Sequence, residues 1–221
     1  MIRTTGLSGR TALLGLALTL AVPAASAGVA GCGGVVQITS SQTASFSVGA
    51  EGDFKIAASS KQVKISESGQ LPYGLTFSDK GNGTAAISGT PASGTGGQYP
   101  ITLSASGSAG QASQRAVLTV DEVPYFTSSD TIWGVIFKYD RSPITAKGYP
   151  LPTISESGTL PRGMSFRTEG NGKAVIYGTP EFSFGAIGPS VIHGPAITLT
   201  AANSAGSTNQ TVQINITGGG S

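Results

Sequence analysis

The chain has 221 residues, of which 33 are Gly and 12 are Pro, only 11% are charged, and the formal net charge is +2. Gly and Pro together are nearly twice as frequent as usual, and the charged fraction is well below the about 25% of a typical soluble domain. One Cys and one His rule out an internal disulfide framework and a Cys/His zinc site, and the scarcity of Glu, Lys and Arg argues against coiled coils and long helices.

Taken in chain order, residues 1–10 carry Arg3 and Arg10 and no acid. The apolar run Thr11 to Val22 follows; Pro23 breaks it, and Ala25-Ser26-Ala27 offers small residues for cleavage. The run is shorter than the about 20 apolar residues that span a bilayer, so it predicts a secretory signal peptide. Val29-Ala30-Gly31-Cys32 resembles a bacterial lipobox, and Gly33-Gly34 resembles the tether behind one. That resemblance implies a signal peptide over 1–31, a lipid tether over 32–34, and lipid attachment at Cys32. More than one acyl chain would then hold the protein on the membrane stably. The other reading is cleavage after Ala27, with Cys32 left as a free thiol. The expected location is the cell surface if lipid-anchored, or secreted if not.

The remaining sequence is duplicated. Ser66-Glu67-Ser68-Gly69-Gln70-Leu71-Pro72-Tyr73-Gly74-Leu75-Thr76-Phe77 returns 89 residues later as Ser155-Glu156-Ser157-Gly158-Thr159-Leu160-Pro161-Arg162-Gly163-Met164-Ser165-Phe166. Gly81-Asn82-Gly83 and Gly89-Thr90-Pro91 return at the same offset. Ile101-Thr102-Leu103-Ser104-Ala105 and Ser108-Ala109-Gly110 return at an offset of 96, so the second copy carries seven extra residues between Pro180 and Pro195. Apolar residues alternate with polar ones at Ile101/Leu103/Ala105, Ala116/Leu118/Val120 and Val212/Ile214/Ile216. That period marks strands buried on one face. Leu75 and Phe77 lead through an Asn-Gly to Ala85 and Ile87, and the second copy repeats this with Met164, Phe166, Ala174 and Ile176. An Asn-Gly between alternating runs is a strong hairpin signal. The pattern predicts an all-β protein: two tandem antiparallel β-sandwiches, over 35–121 and 123–217, with a flexible tail at 218–221. Asp121-Glu122-Val123-Pro124 reads as a short, Pro-stiffened linker.

Ser-Glu-Ser-Gly-x-Leu-Pro-x-Gly-[Leu/Met]-x-Phe, Gly-Asn-Gly, Gly-Thr-Pro and Ile-Thr-Leu-x-Ala-x-x-Ser-Ala-Gly, in this order and twice over, resemble the Putative Ig domain repeats of bacterial secreted and cell-surface proteins. Those repeats are grouped with cadherin-like and Ig-like folds. The resemblance implies an Ig-like sandwich and no particular reaction. It weakens over Thr131 to Tyr139.

Candidate chemistry is sparse. A Ser/His/acid triad would need His193, and no Gly-x-Ser-x-Gly elbow is present. Glu67 and Glu156 are repeated and read as structural residues that hydrogen-bond loop backbone. Asp121/Glu122 is a tight acidic pair at the junction, read either as a solvated linker or as a place for a bridging calcium ion. No catalytic residue, metal ligand or cofactor is assigned. Arg3 and Arg10 lie in the signal peptide, which leaves eleven basic and eleven acidic residues and no basic stripe for nucleic acid.

The aromatic content of the second copy stands out. Trp133, Phe137, Tyr139 and Tyr149 lie in its first third, and the insertion Glu181 to Gly194 holds Phe182, Phe184 and His193. Trp133, Tyr139, Tyr149, Phe182, Phe184 and His193 form the candidate binding surface, suited to a protein or glycan ligand. In the competing reading the insertion folds back over an open sheet edge. The expected function is a non-enzymatic, exported cell-surface protein whose Ig-like domains act as spacer or adhesive module. The alternatives are a carbohydrate-binding module using these aromatics, and a secreted hydrolase.

Overall fold

The computed structural model describes residues 35–181 and 191–218. The signal peptide, the tether with Cys32, the insertion residues 182–190 and the tail residues 219–221 lie outside the described residues.

The strands are β1 (Thr43–Ser47), β2 (Gly52–Ala57), β3 (Val63–Gly69), β4 (Leu75–Gly81), β5 (Thr84–Gly89), β6 (Gly97–Gly107), β7 (Gly110–Phe126), β8 (Thr131–Val135), β9 (Asp140–Tyr149), β10 (Thr153–Ser157), β11 (Met164–Gly170), β12 (Lys173–Gly178), β13 (Val191–His193), β14 (Ile197–Asn203) and β15 (Gly206–Thr217). There is no helix among the described residues. The first copy stacks the sheet β2-β5-β4 on β3-β6-β7, with β1 added parallel to β7. The second stacks β9-β12-β11 on β10-β14-β15, with β8 added parallel to β15. β13 continues the line of β14 along the far half of β15.

The alternation read from the sequence is the burial pattern of these strands. Ile101, Leu103, Ala105, Ala116, Leu118 and Val120 point into one core with Ile56, Ile65 and Ile87. Ile197, Leu199, Ala201, Val212, Ile214 and Ile216 point into a second core with Ile144, Ile154 and Ile176. Each Val, Leu or Ile side chain removed from water there contributes about 1.5–3 kcal/mol. The two hairpins are also as expected. Asn82 (φ 53°) and Gly83 (φ 68°) turn β4 into β5, and Asn171 (φ 52°) and Gly172 (φ 72°) turn β11 into β12. These are the left-handed conformations a tight primed turn needs. A side chain at Gly83 would also run into the Ser60 carbonyl, and one at Gly172 into that of Ala146.

The junction differs from the expected linker. β7 runs without a break through Asp121-Glu122-Val123-Pro124 to Phe126. It pairs with β6 up to Val120 and then with β9 at Glu122↔Tyr149, Tyr125↔Lys147 and Phe126↔Ala146. One sheet thereby passes from the first sandwich into the second. Pro124 is tolerated because the register shifts between Glu122 and Tyr125, and a bulge does not ask for its missing N–H.

Candidate interaction surface

β8 alternates in the ordinary way: Ile132 and Gly134 face the core, and Trp133 faces out. Parallel pairing places Trp133 beside Asn215 of β15, and antiparallel pairing places His193 of β13 on the other side of Asn215. Paired residues share a sheet face, so His193, Asn215 and Trp133 form one rung across three strands. The next rung is Val191, Thr217 and Val135. Trp133 is 57% exposed and His193 is exposed, while Asn215 between them is buried. Asn215 Oδ1 lies 2.7 Å from His193 Nδ1. A carbonyl oxygen only accepts, so Nδ1 is the donor in this contact and Nε2 is left on the other side of the ring. The sequence placed His193 in a loop; it is a strand residue fixed from behind by Asn215.

Beyond β8 the chain makes a turn, with Lys138 N–H donating to Val135 C=O at 3.1 Å. Phe137 occupies its third position at φ 59°, a conformation that is costly for a bulky side chain. Its N–H is held by Pro180 C=O at 3.1 Å, and its ring is exposed. Tyr139 follows, also exposed. Trp133, Phe137, Tyr139 and Val191 therefore stand at the end of the second sandwich away from the junction.

Tyr149 does not join them. It is half-buried at the other end of β9, paired with Glu122, and a Cβ at Gly96 would lie 2.8 Å from its own Cβ. Periodicity could not separate the two ends of β9. Phe182 and Phe184 lie outside the described residues.

Two acidic readings are corrected. Glu122 is not a solvated linker residue: it is 6% exposed. Its Oε1 accepts from Gly94 N–H at 2.6 Å and its Oε2 from Gly96 N–H at 3.1 Å. Asn203 of the second sandwich donates from Nδ2 to Glu122 C=O at 2.9 Å and to Pro150 C=O at 2.7 Å. Backbone amides from the first sandwich thus hold both oxygens of the carboxylate. Glu67 and Glu156, read as hydrogen-bonding to loop backbone, each bury Oε1 without a partner. Both lie on the core-facing side of their strands near the strand ends. Burial pushes the Glu67 carboxyl above the usual carboxylate range.

A second surface feature lies on the outer face of β2-β5-β4. It is an open trough of about 850 Å³ with Ala86, Thr84 and Ser88 along its floor and Glu51, Asp53, Lys55 and Lys80 around it.

Residues 34–121 match the family model described as Putative Ig domain. No curated protein matches the chain. Among solved structures it is similar to the titin Ig tandem domains A164-A165, at 11% identity over 83% of this chain and 97% of that one, with a TM-score of 0.50. It is also similar to titin A168169, at 10% identity over 82% and 98%, with a TM-score of 0.53. Identities this low show a shared fold only. With two stacked-sheet cores, a family match across the first and tandem Ig structures as neighbours, the chain has an all-β, Ig-like sandwich fold.

Proposed function

We propose that this is a non-enzymatic, exported cell-surface protein whose paired Ig-like sandwiches act as a spacer that carries an interaction surface at its far end. The carrying observation is the placement of exposed apolar side chains. Trp133, Phe137, Tyr139 and Val191 gather at the end opposite the junction, and large exposed apolar groups that cluster mark interaction sites. The junction supports the spacer role, because Glu122 and Asn203 tie the two sandwiches through buried hydrogen bonds. The N-terminal sequence supports export, and Cys32 supports a lipid anchor.

Metabolic labelling with a fatty-acid analogue tests the anchor. Wild type is expected to label and to sediment with membranes, and Cys32→Ala to do neither; equal labelling of both removes the anchor. Adhesion of protein-coated beads to cells tests the far end. The double variant Trp133→Ala/Phe137→Ala is expected to lose adhesion that Tyr73→Ala, an exposed aromatic in the first sandwich, retains.

A further inference from the structure

The duplicated framework isolates what is special about the Trp133 rung. Thr119 of the first sandwich is flanked by Ser45 on the parallel strand and by Gln98 on the antiparallel strand. Asn215 of the second is flanked by Trp133 and His193 in the same way. Gln98-Thr119-Ser45 satisfies the fold with small or flexible polar groups, so neither an indole nor an imidazole is needed to hold the strands together. An exposed tryptophan there is a group the scaffold does not require.

We infer that the His193-Asn215-Trp133 rung is a saccharide-binding platform for neutral sugars. This rests on the reading of the far end as an interaction surface. The indole lies on the outer side of a sheet, more than half exposed, and offers an apolar face of the kind the C–H face of a pyranose packs against. His193 stands two strands away. At about 4.8 Å per strand the rung is about 10 Å across, the length of a disaccharide. Its ring is oriented by the 2.7 Å contact with Asn215, which leaves Nε2 to hydrogen-bond a sugar hydroxyl, a group that both donates and accepts. The adjoining rung, Val191-Thr217-Val135, adds apolar edge and a hydroxyl without a formal charge. The two rungs offer indole, imidazole, valine and threonine and no carboxylate or ammonium of their own, which fits an uncharged polyhydroxylated ring, while the exposed Lys138 lies outside them in the turn beyond β8. Asn215 is a positioning residue in this arrangement, since it is buried and acts through His193.

The chain contains one tryptophan, so its own emission reads this site. The test is a titration of the full chain with cello-, malto- and chito-oligosaccharides, followed by Trp133 emission, alongside a glycan array. At least one neutral glycan is expected to bind and to change the emission. Trp133→Ala is expected to weaken array binding by about tenfold or more and Trp133→Tyr by less, because an aromatic face remains. His193→Ala is expected to weaken it while Ser45→Ala, at the counterpart position, does not. Far-UV melts of each variant separate lost binding from lost fold. No glycan bound on the array and no emission change overturns the inference. Bead adhesion distinguishes this failure from failure of the wider reading. Adhesion that needs Trp133 but survives periodate oxidation of the cells' sugars overturns the saccharide and leaves the interaction surface standing. Adhesion that is indifferent to Trp133 overturns both.

Discussion

The two sandwiches share a backbone plan and carry different outer faces. On the first, Ala86 is flanked by Lys55 and Ser78, and Ser88 by Asp53 and Thr76, which leaves an open trough. At the matching positions of the second, Val175 is flanked by Pro143 and Arg167, and Tyr177 by Arg141 and Ser165. Here the face is filled. Val175 is 1% exposed, Arg167 lies over the Tyr177 ring at 5.5 Å, and Glu169 accepts from both Arg141 and Arg167 at 2.9 Å. The cores show the opposite behaviour: Ile87 and Ile176 are both fully buried, as are Leu103 and Leu199. Those inward positions keep their volume because a packed interior tolerates little change, while at the rim of the core Phe46 and Phe54 are matched by Gly134 and Ser142. Outward positions are free to diverge, and each copy has been furnished differently.

The comparison can be broken at its strongest point by emptying the shared core. Ile87→Ala and Ile176→Ala are each expected to cost about 2–5 kcal/mol. Trp133 emission reports the second sandwich and far-UV circular dichroism reports both. Ile176→Ala should lower the urea midpoint of the emission, and Ile87→Ala should lower the dichroism midpoint more than the emission midpoint. Equal shifts of both signals by both variants would show that the sandwiches unfold as one body.

Next in size is the junction. Glu122→Ala strips the acceptor from Gly94 and Gly96, and each hydrogen bond to a charged group is worth about 1.5–3 kcal/mol. A lower melting temperature is expected, together with a broader range of inter-sandwich orientations by small-angle scattering. An unchanged scattering profile would mean that the β7–β9 pairing alone sets the orientation.

The outer faces come third. Val175→Ala is expected to cost about 2 kcal/mol, from the apolar carbon lost out of a closed site. Ala86→Val is expected to be near neutral, since the trough has room. Chemical denaturation of the pair decides this, and a large loss from Ala86→Val would mean that the trough is closed in solution.

The smallest expected effect depends on pH. Glu67 has its carboxyl raised by burial, so the charged form is the costly one in the folded state. Glu67→Met is therefore expected to raise the melting temperature slightly at pH 7. That gain should hold above the raised carboxyl value and shrink as the pH falls from it through the ordinary carboxyl value of 4.5, where the wild-type carboxyl becomes neutral in both states. Glu169 has the opposite sign. Hydrogen bonds from Arg167, and then from Arg141, lower its carboxyl, so its contribution is present above the ordinary carboxylate range and is lost as the pH falls through the lowered value. The melting temperature of Glu169→Gln against wild type over pH 3 to 7 reads this. A difference that does not narrow on acidification would show that the arginines act on Glu169 by packing alone.

Much of the fold was legible because its determinants are local. A period of two at Ile101, Leu103 and Ala105 assigns strand and face together, and Asn-Gly between alternating runs states the turn. The candidate surface was half legible. Trp133, Tyr139 and His193 stood out as aromatic or titratable residues in an otherwise small-residue chain, but composition could not say that β13 would bring His193 beside Asn215. Tyr149 stands apart from the others because a strand ten residues long has two ends, and Tyr149 lies at the end beside the junction. Asn215 gave no signal at all, since an asparagine in an alternating strand looks like any solvated position.

By itself the sequence determined the fold class, the duplication, the inward residues of the main strands and the hairpin turns, all of which depend on neighbours a few positions away. Only the tertiary structure decided that Asp121 to Pro124 is a strand, that Glu122 caps two amides of the other loop, that Glu67 and Glu156 hold orphaned oxygens, and that His193, Asn215 and Trp133 share one rung. Each of these joins residues at least 22 positions apart or depends on how two sheets meet, and burial and register across such gaps are set by packing, which no local pattern encodes.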